Sequence, residues 1–444
     1  MNLESTLSQL NTYLVSPVSC VILLIAGIIL SIRLRFFQFS NPVKLWKLMN
    51  ERKCGGTSPF RALTVALAGT LGVGNISGVA IAIALGGAGA VFWMWISAGC
   101  AMIVKYAEIV LAVYHRDESN SEIHGGAMYY IKYGLKKHGF SSVLAGCFAA
   151  FCLFSSLSTG SVIQVSAVAE AFCGCFSVPP EIVGIIMAIL CAVALFSKKK
   201  NIISDITVKL VPIMSLIFIT LSVVIIFSNL SIIPDILVTI VEDAFTPSSA
   251  VGGLGGFIFS RSIRFGVTKG LFSNEAGCGT STIAHAQANS ASPKSQGVWG
   301  IFEVFFDTVL LCTMTALVLL ICYGNSVPSE GGGVMVALSA YGNLLGEGAK
   351  HILAIAIFLF AYATVICWAY YGCECVRFLF EERYAKQVYL CIYVISVVYG
   401  AVAKSSFLWE LADLTICVMM SVNTICVCAM SDTVCYLSHK KGEA

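Results

Sequence analysis

Charge is what this chain has least of. Asp, Glu, Lys and Arg make up 11% of its 444 residues, where soluble domains carry about 25%. So little polar surface cannot cover a soluble globule of this size. The net charge of +3 is no footprint for nucleic acid. Metal-ligand spacing is also missing: 19 cysteines are present, but none pairs with histidine in a zinc pattern. Most cysteines, among them Cys147, Cys152, Cys191, Cys312, Cys322 and Cys367, lie inside apolar runs, where they act as small hydrophobes. The histidines are scattered, and no nucleophile–base pair falls at one depth, which argues against a membrane enzyme. No continuous polar stripe suggests a channel. The N-terminal flank Met1-Asn2-Leu3-Glu4 has no basic region, so no cleavable signal is expected.

What is present is hydrophobic sequence: 58% of residues, with a mean hydropathy of +0.87. It falls in blocks of roughly 18 to 25 residues, enough to cross ~30 Å of hydrocarbon. The blocks predict an all-α integral membrane protein with helices at 15–32, 61–84, 89–113, 141–172, 179–196, 205–228, 231–260, 297–323, 351–377, 386–403 and 407–435. With eleven crossings, every lysine and arginine except Lys105, Lys350 and Lys404 falls on one side. The cytoplasmic loops carry such an excess. That puts the N-terminus outside and the C-terminus in the cytoplasm of a bacterial or archaeal plasma membrane. Arg261, Arg264 and Lys269 are counted among the cytoplasmic cations.

Without the first helix, ten remain. The chain then divides into an N-terminal helix and basic loop (1–60), a five-helix repeat (61–228), a second repeat of opposite orientation (229–435) and a tail (436–444). The leading helix of each half is interrupted. The first break is Gly69-Thr70-Leu71-Gly72-Val73-Gly74-Asn75. The second is expected at Thr246-Pro247-Ser248-Ser249 and Gly252-Gly253-Leu254-Gly255-Gly256. Glycine-interrupted segments at matching positions of two inverted halves point to a binding site near the midplane. Unwinding frees peptide groups that a solute can use. Tight helix packing is the other use of such glycines.

The run Gly69 to Ala80 resembles the signature of the alanine or glycine:cation symporter family. So do Gly86-Gly87-Ala88-Gly89-Ala90-Val91-Phe92-Trp93-Met94-Trp95, then Met102, Lys105 and Glu108, and Gly125 to Ile131. Gly270-Leu271-Phe272-Ser273-Asn274-Glu275-Ala276-Gly277-Cys278-Gly279 is the most diagnostic stretch, with Phe306-Asp307-Thr308 and Trp368 to Gly372 beside it. The resemblance spans residues 15 to 435. It implies a leucine-transporter-type fold, five helices plus five inverted behind one extra helix. It also implies secondary active, alternating-access import of alanine, glycine or a close analogue with sodium, or in some members with protons. A non-transporting amino-acid sensor on the same fold stays open. Sodium is the expected co-transported ion, with no organic cofactor. The expected partners are the small neutral amino acid and membrane lipid, and a monomer is expected to suffice.

For the substrate carboxylate, the candidates are backbone donors near Gly72, Gly74 and Asn75, since small residues allow close approach. Thr70 and Gly253, on the two breaks, are counted with them. Asn75 has an alternative role as a helix cap. Gln164, an amide at membrane depth, is assigned to substrate contact, with an interhelical hydrogen bond as its alternative. By resemblance, Thr364 and Trp368 line the same cavity, four residues apart on one helix face. Trp368 would limit side-chain size, or else serve simply in packing. For sodium, carbonyls at Ala68, Leu71 and Ala361 would join the Thr364 hydroxyl, which resembles the site between the first and eighth core helices of the fold. No buried carboxylate is expected there. Lys105 and Glu108, three apart, are expected to pair. Glu303 and Asp307 are placed near the inner face, and Asn274 and Glu275 in a cytoplasmic segment.

Overall fold

The computed structural model describes residues 3–11, 15–50, 58–118, 123–135, 138–199, 201–245, 261–288, 292–329, 332–380, 382–403 and 406–439. Among these residues the chain is helical apart from short connections and one antiparallel bridge, Asp117 to His124. The main helices are α1 Ser16–Arg33, α2 Pro59–Thr70, α3 Val79–Gly86, α4 Gly89–Tyr114, α5 His138–Leu157, α6 Gln164–Phe176, α7 Pro180–Leu195, α8 Ile202–Ser228 and α9 Ile233–Phe245. They continue as α10 Arg261–Asn274, α11 Ser281–His285, α12 Pro293–Val304, α13 Thr313–Tyr323, α14 Gly332–Leu345, α15 Glu347–Leu379, α16 Arg383–Val402 and α17 Ser406–Ala429. Proline opens α2, α7 and α12, where its missing N–H costs nothing.

The outward faces are apolar. Val21, Ile25, Ile28 and Ile32 of α1, Ile185, Ile189 and Val193 of α7, and Ile392 and Ile395 of α16 are exposed. Such a surface suits lipid and would be unstable in water. α15 is the central post: Phe360, Ala361, Thr364, Cys367, Trp368 and Tyr371 are all buried. Among the described residues, 8 helices are long and apolar enough to cross a bilayer, or 9 with α2 and the bent segment after it taken together. The expected count of eleven is not established by that measure. α7, with 16 residues, is shorter than the ~20 a crossing needs.

Two ends of the bundle can be told apart. At the basic end, Arg61 opens α2 and pairs with Asp205 at 3.0 Å, and Lys199 meets the same carboxylate at 2.9 Å. Arg116, past the end of α4, donates to the carbonyl of Ala288 at 2.9 Å. At the opposite end, Asp243 of α9 accepts from the backbone N–H of Gly89 at 2.7 Å, and the Trp93 indole donates to the Ala244 carbonyl at 3.2 Å. The Ser262 hydroxyl of α10 donates to the Gly86 carbonyl at 2.6 Å.

These contacts correct one expectation. Residues 233–245, the described helix of the expected 231–260 crossing, do not cross the bundle. α9 has 13 residues, about 20 Å of helix, and is pinned to the start of α4. The chain is still at that end when α10 begins; 246–260, including Gly253 and the expected second break, lie outside the described residues. The path from that end to the basic end is instead 261–288. Arg261, Arg264 and Lys269 therefore belong to the half of the bundle away from Arg61. Thirteen polar or charged residues between 261 and 288 hid this path from hydropathy, because burial among neighbouring helices replaces lipid as their surroundings.

Candidate functional site

Two interrupted segments run in opposite directions and meet in the middle of the bundle. The first turns by 54° between α2 and Gly74–Gly86. Thr70 ends the regular helix. Leu71 leaves helical geometry, with φ −75° and ψ 65°, and Gly72 N–H folds back to the Thr70 carbonyl at 2.8 Å. Residues 74–78 then wind as a wider π-type turn. The second interruption is Glu275–Thr280, between α10 and α11, where Glu275, Gly277 and Gly279 take φ of 51°, 80° and 74°. At Gly279 an added Cβ would also lie 2.7 Å from that of Ala127.

Wider turns recur at 158–163, before Gln164, and at 305–312, around Asp307. Such insertions re-aim side chains and collect at functional sites. Here 305–312 packs against the turn at 74–78, and 158–163 leads into Gln164, which reaches Val73.

One cluster surrounds Gly72. The Gln164 side-chain oxygen accepts from Val73 N–H at 3.2 Å, and its amide donates to the Thr159 carbonyl at 3.3 Å. An added Cβ on Gly72 would stand 2.8 Å from Gln164 Oε1 and 3.2 Å from Thr364 Oγ1. The Thr364 hydroxyl is within reach of the Ala68 carbonyl at 2.9 Å and of Phe360 in its own helix at 3.0 Å. Thr364 and Ala68 are thus neighbours. Leu71 and Ala361 are buried close by in sequence, each with 0% exposure. Thr70 turns its hydroxyl back to the Ala66 carbonyl at 3.3 Å. Beside Gly74 a Cβ would meet nothing within 4 Å, so that face borders open space. Trp368 is fully buried, with its ring against Gly160, and its indole N–H has no hydrogen-bond partner among the described residues.

A second cluster surrounds Asp307, which is fully buried. The Asn75 amide donates to Asp307 Oδ1 at 2.6 Å, and the Thr308 hydroxyl donates to Oδ2 at 2.8 Å. The Ser273 hydroxyl is 2.8 Å from Asp307 Oδ2 and 3.0 Å from Asn75 Oδ1. The Asn274 amide donates to Thr308 Oγ1 at 3.0 Å, and the Thr315 hydroxyl donates to the Asn75 carbonyl at 2.9 Å. A hydroxyl carries one proton, so Ser273 can satisfy only one of its two oxygen neighbours fully. The remaining lone pairs form an oxygen-rich, anionic nest, and hard cations are bound by such oxygens.

Several expectations change here. Asp307 lies beside Asn75, just past the first interruption, rather than near the inner face. Asn274 belongs to the same cluster and not to a cytoplasmic loop. Ser273, Thr308 and Thr315 were not singled out as site residues, although Ser273-Asn274 and Asp307-Thr308 lie in the motifs that carried the resemblance. Lys105 and Glu108 do not pair with each other. Lys105 turns to Glu303 at 3.3 Å, and Glu108 accepts from Asn423.

The sodium:alanine symporter family model matches residues 1–440. The sodium/alanine symporter AgcS of Methanococcus maripaludis is 36% identical over 93% of this chain and 91% of its own. The amino-acid carrier protein AlsT of Bacillus subtilis is 33% identical, over 93% and 86%. The probable sodium/glutamine symporter GlnT of the same organism is 33% identical, over 97% and 89%. In fold the chain is similar to a sodium-coupled sialic acid symporter in a substrate-bound outward-open state. The TM-score is 0.56 at 12% identity, covering 90% of this chain and 82% of that one. It is also similar to the manganese transporter of Eremococcus coleocola, with a TM-score of 0.52 at 13% identity, covering 87% and 78%.

Proposed function

Because the chain belongs to the sodium:alanine symporter family, a family of carriers rather than enzymes, we propose that it imports a small neutral amino acid, alanine or glycine, driven by sodium through alternating access. The observation that carries the reading is the meeting of two oppositely directed, interrupted segments beside a buried carboxylate. Interrupted helices at mid-depth supply N–H donors for a carboxylate and carbonyls for a cation.

Asp307, Asn75, Ser273 and Thr308 form the first proposed sodium site. Rotating the Asn75 amide would bring its oxygen toward an ion held by Asp307, and the hydroxyls would turn lone pairs inward. Ala68, Leu71, Ala361 and Thr364 form the second, built of neutral oxygens. The substrate carboxylate meets the turn from Gly72 to Asn75 on its open side, at Gly74. Gln164 holds that turn apart by occupying the Val73 N–H, and Trp368 bounds the side-chain end. The basic end is the cytoplasmic one, as the positive-inside rule implies. The two repeats are residues 61–228 and 229–435, the second with its interrupted crossing at 261–288.

The test is uptake by the purified protein in liposomes. Labelled alanine or glycine should accumulate under an inward sodium gradient, and unlabelled glutamine should compete poorly. Uptake that follows a proton gradient and ignores sodium would contradict the sodium reading. Selective competition by glutamine would move the substrate assignment toward that of the GlnT relative.

A further inference from the structure

Below the second interruption lies a set of buried polar side chains that the proposed sites do not use. Lys105 of α4 is fully buried. Its ammonium donates to the Ser281 hydroxyl at 2.9 Å and pairs with Glu303 Oε1 at 3.3 Å. The other Glu303 oxygen lies 3.0 Å from His285 Nε2, and His285 Nδ1 lies 2.7 Å from the Gln296 amide. Ser281 and His285 are the first and last residues of α11. Lys105 and Glu303 therefore grip both ends of one short helix and bind it to α4 and α12. Close packing supports the grip, since a Cβ on Gly300 would stand 3.0 Å from Lys105 Cγ. On another side, the Asn423 amide of α17 donates to the Gly277 carbonyl at 2.8 Å, just above α11.

α11 has five residues, too few to hold a helical position by its own hydrogen bonds. All five are buried, and the helix packs against α2, α4 and α15. It packs along α2, on the stretch between the Gly72–Asn75 turn and the basic end, beside any route out by that end. A buried ion pair adds little net stability over an apolar replacement of the same shape, but it fixes geometry. Glu303 stands one helical turn before Asp307, so the grip on α11 and the carboxylate of the proposed sodium site share one helix.

We propose that Lys105 is a positioning residue of the transport cycle. Through Ser281 and Glu303 it latches α11 in place and keeps the basic-end route closed. This rests on the reading of 261–288 as the second interrupted crossing of a carrier. Release of α11 breaks the Ser281 and His285 contacts together and opens the route in one step.

The native Cys278, buried between Gly277 and Gly279, reports the opening. Full-length protein in liposomes is treated with a small thiol reagent, and modification of Cys278 is followed by peptide mass. Cys191, buried in α7 far from α11, serves as the control. Lys105→Met combined with Glu303→Gln removes both charges and leaves neither one buried alone. In this double variant Cys278 should react about tenfold faster than in the parent, as expected for an open population raised by that factor, with Cys191 unchanged. Lys105→Arg keeps the cation and should restore slow labelling. Turnover for alanine should fall about tenfold in the double variant while KM shifts less than about threefold. Equal labelling of Cys278 in parent and double variant, or a parallel rise at Cys191, would overturn the latch. A parent without sodium-driven uptake would instead remove the symport reading and leave the labelling comparison intact.

Discussion

The two interruptions differ in kind. The first, at Leu71–Val73, lies in an apolar helix and is made by small residues: Gly69, Gly72 and Gly74 leave room, and Gln164 and Thr364 fill it from other helices. The second, at Glu275–Thr280, lies in a polar segment. It is held by positive φ at three residues and by side chains bonding to one another and to neighbouring helices. A gap in an apolar helix shows as glycine against leucine and valine. A gap in a polar crossing has no contrast to show against, and only tertiary burial makes the crossing stable. The first is thus a break by omission, and the second a break by construction.

The largest effect is expected where the two meet. Asp307→Asn keeps the shape but removes the charge that Asn75, Ser273 and Thr308 surround. Sodium-driven alanine uptake should drop by about 100-fold, equivalent to about 2.7 kcal/mol, with the protein still folded by thermal melting. Uptake within a few fold of the parent would detach the second interruption from ion binding.

Next comes a matched pair in the first interruption. Gly72→Ala drives a methyl into Gln164 Oε1 at 2.8 Å, a misfit that costs about 1–3 kcal/mol, and uptake should fall about tenfold. Gly74→Ala meets nothing within 4 Å. Its melting temperature should stay at the parent value while KM for alanine rises. Identical behaviour of the two would mean that both glycines serve packing.

Gln164→Ala removes the partner of the Val73 N–H. A buried donor left unsatisfied costs about 1–3 kcal/mol, so thermal stability should fall together with uptake. Loss of uptake at unchanged stability would reassign Gln164 to direct substrate contact.

The smallest effect is expected from Trp368→Phe. The indole N–H has no partner among the described residues, so folding should change by less than about 1.5 kcal/mol. A rise in KM would show that this N–H or the ring edge meets the substrate.

The fold was legible where its physics is hydropathy. α1, the segments from 59 to 86, α4, α8, α12 with α13, and α15 stand close to their expected places, because a helix that crosses a bilayer must be apolar along most of its length. The reading failed at 233–245, where an apolar surface helix of 13 residues, followed in sequence by glycines, imitated the start of a crossing. It failed again at 261–288, whose Asn274, Glu275 and His285 are tolerated only because neighbours bury them. Within the site, Gly72, Gln164 and Thr364 were visible as polar or small residues in apolar surroundings, and the structure brings them together. Asp307 was visible as a charge but not as a partner of Asn75. The two are separated by 232 positions, and no local pattern links them.

The most direct measurement is equilibrium binding of radioactive sodium to the purified protein, with and without alanine, for the parent and for Asp307→Asn. The account predicts saturable binding to the parent that alanine strengthens, and loss of most of it in the variant. Sodium binding of equal strength in both proteins would contradict the claim that the two interruptions close around an ion at Asp307.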